Sequence, residues 1–430
     1  QRVPPPARPV AHLGRALRHR NYRLFIGGQT VSLCGTWITN VATAWLVYRL
    51  THSSAWLGAF AFASQIPTAV LAPVAGVWVD RWDRHRVLVI TQICAMLQSA
   101  ALAVFALSGL MTIARLMVLG SIQGLINAFD MPARQSFVVR MIDDRADLAN
   151  AIAINSSMVN ATRLVGPALG GVLIVAVGEG WCFTIDAISY LAVIASLLAM
   201  RVAKVPPRPR VSHVWAELVD GLRYVRRTPL ISAVLLLLAW SSLVGMPYSS
   251  QMPAFAAKRL GGGPHTYTLM VGASGLGALS SALYLASRRS VVGLGSVLAR
   301  AAAAFGAGLL ALSFVRSPWL AAPIVMVVGA GMMLQMAGVN TIVQSLVDED
   351  KRGRVMSLYA LAFFGSQTVG ALIAGAVASA VGPHVVVGVG GACCVLAAIV
   401  FRAALPALRT VSRPLYVAKG LLPPPEGSAG

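Results

Sequence analysis

The sequence predicts an all-α polytopic membrane protein, with twelve transmembrane helices in two pseudo-symmetric six-helix bundles. Of its 430 residues 57% are hydrophobic and only 11% charged, and the mean hydropathy is +0.73, which leaves too little polar surface to cover a soluble globule. Apolar runs of about 20 residues, the length that crosses a hydrocarbon core of about 30 Å, recur along the chain between short polar turns. Most of the 35 Lys and Arg fall in alternate turns, as expected when cytoplasmic loops collect basic charge. That asymmetry predicts a multi-pass protein of the cell (inner or plasma) membrane with both termini cytoplasmic.

Taken in order, residues 1–23 form a basic cytoplasmic tail with Arg15, Arg18, Arg20 and Arg23. No small-residue cleavage site trails the first span, so a removable signal peptide is not expected. Residues 24–200 make the N-terminal bundle, with spans at 24–48, 55–79, 87–107, 111–131, 150–177 and 181–200. The linker, 201–228, contains Pro206, Pro207 and Pro209, then Val214 to Arg227 with apolar residues at helical spacing. This predicts an amphipathic helix lying on the inner membrane surface. Residues 229–404 make the C-terminal bundle, with spans at 229–252, 266–287, 291–314, 318–342, 354–381 and 384–404, and 405–430 is a cytoplasmic tail. The halves repeat: Gly166, Gly171 and Gly178 align with Gly370, Gly375 and Gly382, and Arg84-His85 with Arg288-Arg289.

A net charge of +21 is no nucleic-acid footprint, because the basic residues are spread over loops instead of gathered on one face. The five cysteines sit in or beside apolar spans without C-x-x-C spacing and read as buried structural thiols. The seven histidines lack metal-ligand spacing. With no phosphate-binding loop or catalytic triad either, the sequence predicts no metal, no cofactor and no enzyme.

Between the second and third spans, Pro73 to Arg86 forms a tight hairpin whose turn reads Asp80-Arg81-Trp82-Asp83-Arg84-His85-Arg86. Gly76 lets a neighbouring backbone approach, and Asp80 can accept from Arg81 or Arg84, or face a helix N-terminus. In the fifth span Arg163 precedes Gly166-Pro167-x-x-Gly170-Gly171. Proline kinks a helix and glycines permit tight packing, so this face can seal one side of a cavity. An ionised Arg163 at mid-span needs a cavity or a partner, either Asp186 or Asp130. Pro247 and Pro253 interrupt the seventh span, which either marks a gate or ends a helix. Gln29, Trp37, Asn40, Gln123, Asn127, Trp240, Gln335 and Asn340 are candidates to line a pocket.

Gly76, Asp80, Arg81, Arg84 and Arg86 resemble the loop 2–3 signature of the major facilitator superfamily, with Asp83 and His85 departing from it. Together with Asn21-Tyr22-Arg23-Leu24, Pro132-Ala133-Arg134-Gln135, Arg163 to Gly171, Asp186-Ala187-Ile188-Ser189-Tyr190 and Gly221-Leu222-Arg223-Tyr224, they are similar to its enterobactin exporter-like, transmembrane secretion effector branch. The resemblance implies a conformational latch between Asp80 and the start of the eleventh span near Gly353-Arg354. It also implies an antiporter-type motif at Gly166 to Gly171 and a monomer that exports amphipathic small molecules, drug or siderophore-like. Only Asp130 and Asp186 of the fourteen acidic residues lie within predicted spans, so a coupling proton belongs to one of them. Import or facilitated diffusion on the same fold is the alternative, and a non-transporting receptor or scaffold the more distant one.

Overall fold

The computed structural model describes residues 15–138, 141–142, 147–201, 214–288, 290–419 and 421, and within them leaves aside the side chains of 72–74, 76, 77, 80, 81, 138, 149, 152, 153, 160, 164, 214–218, 350 and 418. The side chains of Gly76, Asp80 and Arg81 therefore lie outside the described residues, as does Arg289. All regular structure among the described residues is helical: α1 Arg20–Thr51, α2 Ser54–Arg81, α3 Arg84–Leu107, α4 Ile113–Val138, α5 Leu148–Ala176, α6 Glu179–Leu198, α7 Val214–Arg227, α8 Pro229–Val244, α9 Tyr248–Lys258, α10 Pro264–Ser287, α11 Leu294–Phe314, α12 Pro318–Leu346, α13 Glu349–Ala360, α14 Ser366–Val381 and α15 Pro383–Ala418. A π-helical turn, Leu361–Gly365, joins α13 to α14.

Ten segments among these are long and apolar enough to cross a membrane. The two predicted spans that miss that measure are α1 and α4, which are long enough but carry Gln29, Asn40, Gln123, Asn127 and Asp130. Their polarity has a structural cause, described below.

The burial pattern is that of a protein dissolved in lipid. Along α3, Ile90, Ile93, Leu97 and Val104 are exposed, Leu97 to 61%, while Thr91, Gln92, Gln98 and Ser99 are buried. Water would select the reverse arrangement. Of the cysteines, Cys182 and Cys394 are buried, but Cys94 is exposed on the outer side of α3, where a bilayer would cover it.

The chain groups into two compact units, residues 1–43 with 70–211, and 44–69 with 212–430. In the first, Tyr22 is fully buried and donates to the Ala151 carbonyl at 2.6 Å. Asn21 exchanges hydrogen bonds with the backbone of Arg201 at 2.9 and 3.2 Å. These contacts fasten the start of α1 to the start of α5 and the end of α6. Gly166 and Gly170 of α5 pack on Cys34, Trp37 and Ile38 of α1, where any added Cβ would be crowded.

The second unit repeats this packing with Gly370 of α14 against Leu243 and Pro247, at the end of α8 and just beyond it. The break between α8 and α9 falls at Gly245 to Pro247, and the fully buried Gln251 of α9 donates to the Ser54 carbonyl at 3.3 Å. The linker helix α7 forms and packs on α13: Gly221 lies against Arg354, and Asp220 pairs with Lys351 at 3.2 Å and with Arg354. Lys351 gives the chief hydrogen bond that holds the Asp220 carboxyl below its ordinary range. At its C-terminal end α15 continues past residue 404 through Pro406 and Pro414, and Lys419 beyond it meets Asp348 at 2.7 Å.

Candidate functional site

The first unit holds a buried polar centre built from four helices. On α1, Gln29, Ser32, Leu33 and Thr36 fall on one face, and on α4, Gln123, Ile126, Asn127, Asp130 and Arg134 do the same. Gln92 and Ala95 of α3 and Tyr190 of α6 complete a cavity of about 40 Å³. A water needs about 10–15 Å³ so measured, which makes this room for a few waters. Here is the cause of the low hydropathy of α1 and α4: their polar residues face each other across water-sized space.

Asp130 anchors the centre. It is 2% exposed and accepts from Thr91 Oγ1 at 3.0 Å, from Gln92 Nε2 at 2.7 Å and from the Arg134 guanidinium. Arg134 also reaches Gln29 Oε1 at 3.4 Å. The ion pair exists because α4 runs unbroken through Pro132 to Val138, which sets Asp130 and Arg134 one turn apart. The sequence reading ended this span at residue 131 and so separated the partners.

Asp186 has different surroundings. Also 2% exposed, it accepts from Ser99 Oγ at 2.8 Å through Oδ2, while Oδ1 is buried without a hydrogen bond beside the bare backbone of Gly35. One turn along α6, Tyr190 bonds Thr36 Oγ1 at 3.3 Å and lines the cavity with Asp130. From sequence, Ser99, Thr91 and Gln92 go unnoticed, and Arg134 and Tyr190 enter only through the family resemblance, without a role in the site. Residues 91, 92, 98 and 99 form a polar stripe at helical spacing within an apolar span, and that signal was available.

Arg163 lies with its guanidinium 5.7 Å from the centre of the Trp37 ring. Beneath it Gly166 receives Trp37, while Pro167 and Gly171 are buried in the same helix. Of the proposed lining residues, Gln29, Gln123 and Asn127 meet at the cavity, with Gln123 donating to Asn127 at 3.2 Å. Asn40 is exposed farther along α1. In the second unit Gln335 is buried, Asn340 accepts from Gln344, and Trp240 is exposed and donates to the Cys393 carbonyl at 3.4 Å.

The two departures in the loop 2–3 signature have local work. Asp83 caps α3, accepting from the backbone N–H of His85 at 3.0 Å, and it pairs with Arg86 at 3.7 Å. His85 Nε2 bonds the Leu197 carbonyl at 2.8 Å, and Arg84 reaches the Ser136 carbonyl at 3.5 Å. The turn is thus tied to the ends of α4 and α6.

Lipid-facing helices around a buried polar centre define a class, the multi-pass membrane transporters of major facilitator fold. Solved structures agree on the fold. A bacterial homologue of the iron transporter ferroportin, in the inward-facing state, superposes with a TM-score of 0.68 at 18% identity, covering 90% of this chain and 98% of that one. The POT family transporter PepTSo gives 0.69 at 12% identity, covering 91% of this chain and 99% of that one. The family described as transmembrane secretion effector matches residues 15–420, and the chain belongs to it. Among relatives, the staphyloferrin A transporter of Staphylococcus aureus is 24% identical over 78% of this chain and 84% of its own. The multidrug efflux pump Tap of Mycolicibacterium fortuitum is 26% identical over 81% and 87%. The enterobactin exporter EntS of Citrobacter koseri is 24% identical over 51% and 52%. The protein is a transporter of small molecules and not an enzyme.

Proposed function

We propose that the protein is a secondary active exporter which moves an amphipathic small molecule, drug or siderophore-like, outward in exchange for protons by alternating access. It works as a monomer, with both termini in the cytoplasm. The relatives named as an efflux pump and an enterobactin exporter support the direction, as does the Gly166 to Gly171 motif. Gly76, Asp80, Arg81, Arg84 and Arg86 enter this reading as a conformational latch.

The observation that carries the coupling is the contrast between the two buried acids. A carboxyl met by a guanidinium and two further donors has its hydrogen bonds supplied within the fold, which describes Asp130. Asp186 meets a hydroxyl on one oxygen and has the other unbonded, a setting in which a proton can be taken up and released as the surroundings change. Asp186 is therefore the proton carrier, and Asp130, through its partners Arg134, Thr91 and Gln92, orders the cavity.

Purified protein in proteoliposomes, with a pH gradient imposed in either direction and candidate cargoes screened by proton flux, tests this. Asp186→Asn should abolish gradient-driven exchange and spare cargo binding. Gradient-driven exchange that persists in Asp186→Asn, Asp130→Asn and the double variant removes both acids from the mechanism. Inward accumulation under the natural gradient would make the protein an importer.

A further inference from the structure

We propose that the seam between α11 and α15, at its arginine-bearing end, binds the head group of an anionic phospholipid. Close contacts fix the register of these two antiparallel helices. Gly306 packs on Val395, Gly391 on Leu310, and Gly295 on the Leu405 side chain. Interpolating between them sets Arg300 opposite residue 400, about 3 Å along the axis from Arg402. Farther out Arg409 donates to Ser296 Oγ, so the extension of α15 still runs against the start of α11. Around α15, Arg409 and Arg413 lie within about 20° of Arg402, and around α11, Arg300 lies about 40° from Ser296. All four arginines are exposed. Among the described residues none of them pairs with an acid; the cation at this end of α15 that does is Lys419, with Asp348 at 2.7 Å.

The same side of the seam is apolar farther along. On α11 the exposed stripe of Arg300, Ala307 and Phe314 lies about 80–120° round from Gly306, and on α15 that of Leu396, Ile399 and Val400 lies about 40–140° round from Val395. The rotations have one sense, and in antiparallel helices that places both stripes on one face. Arg402 is nineteen residues along α15 from Pro383, about 29 Å or one hydrocarbon thickness. It therefore marks the membrane edge, with Arg300 about 3 Å inside it and Arg409 about 10 Å outside. A guanidinium inside that edge must snorkel to a phosphate. Forked donors stacked along one seam suit phosphate oxygens, and basic pockets between spans take anionic head groups. A soluble anion would use the arginines alone. A phospholipid also lays its acyl chains on Leu396, Ile399 and Phe314, each more than half exposed, so it is the occupant that fits both halves.

The site belongs to the second unit and stands independently of the exporter reading, whose topology only assigns it to the cytoplasmic leaflet. The full chain, delipidated in detergent, is titrated with cardiolipin, phosphatidylglycerol and phosphatidylethanolamine, and bound lipid is counted by native mass spectrometry. The two anionic lipids should bind at least about tenfold tighter than phosphatidylethanolamine. Arg300→Gln, Arg402→Gln and Arg409→Gln together should weaken cardiolipin by roughly a hundredfold, at about fivefold for each basic group near an anionic head. Lysine at the same three positions should keep most of the affinity. Removing equal charge elsewhere, by Arg201→Gln, Arg226→Gln and Arg227→Gln, should leave it within about threefold of the parent. Equal binding of neutral and anionic lipids would overturn the site. So would equal losses in the two triple glutamine variants, or no loss in the first while circular dichroism shows it folded. Displacement of cardiolipin by millimolar inorganic phosphate would overturn the lipid as occupant.

Discussion

At the scale of single residues, the decisive contrast is between two aspartates of equal burial and unequal company. Asp130 and Arg134 form a pair whose members are 3% and 24% exposed. Removing one partner of such a pair strands the other charge, which typically costs 3–5 kcal/mol, whereas replacing both can be nearly neutral. Asp130→Asn and Arg134→Met should each lower the thermal stability of the detergent-solubilised protein by about 3 kcal/mol, and the double variant should recover most of that loss. Melting followed by tryptophan fluorescence reads the cycle, and additive losses would show that the pair does not act as a unit. The acids themselves were legible, since they alone among fourteen fall within predicted spans. Their partners were not, for two physical reasons. Pro132 follows the predicted end of the fourth span at residue 131, yet a helix in a packed bundle continues through proline when neighbours satisfy the freed carbonyl. Ser99 and Thr36 are short hydroxyls that hydropathy barely registers, yet each places an oxygen within reach of α6.

Helices show where hydropathy works and where it stops. The apolar spans were readable because bilayer thickness fixes their length, and the glycines of α5 and α14 were readable because close backbone approach leaves no room for a side chain. The mate of α7 was not. Its helical spacing was plain, but only the fold brings Gly221 onto Arg354 and Asp220 onto Lys351 and Arg354. The amphipathic linker helix is also pinned to α13. The pH dependence of that contact has a definite sign. Because the Asp220 carboxyl is held below its ordinary range, chiefly by the Lys351 hydrogen bond, its contribution is complete above the usual carboxylate value, about pH 4. It fades as the pH falls through the lowered value. Amide exchange over residues 214–227 should be slow at pH 7 and accelerate in Asp220→Ala; in the parent, after correction for intrinsic rates, protection should be lost only below about pH 4. Equal protection in parent and variant at pH 7 would mean that the ion pairs do not hold α7.

For the molecule as a whole, lipid takes the place of water as the outer solvent, and that inversion leaves polar side chains free to gather inside each unit. Buried polar groups confer a preference for one arrangement over another without adding much net stability, which suits the proposed alternating-access cycle, in which two states separated by a few kcal/mol are populated. The turn after α2 belongs to this economy. Asp83, Arg84 and His85 tie it to α3, α4 and α6 within the first unit, so it moves as part of a rigid body, and Asp80 at the end of α2 rides with it. If Asp80 is the latch implied by the loop 2–3 signature, its charge is worth about 1–2 kcal/mol in one state and little in the other. Asp80→Asn should then shift the balance of states by roughly tenfold and cut initial transport rates by a comparable factor, with membrane abundance and cargo affinity in the competent state unchanged. Quantitative blotting of membranes beside initial rates in proteoliposomes separates loss of protein from loss of turnover. A normal rate at normal abundance would reduce the acidic residue to a topological marker and leave the turn's rigidity as its whole contribution.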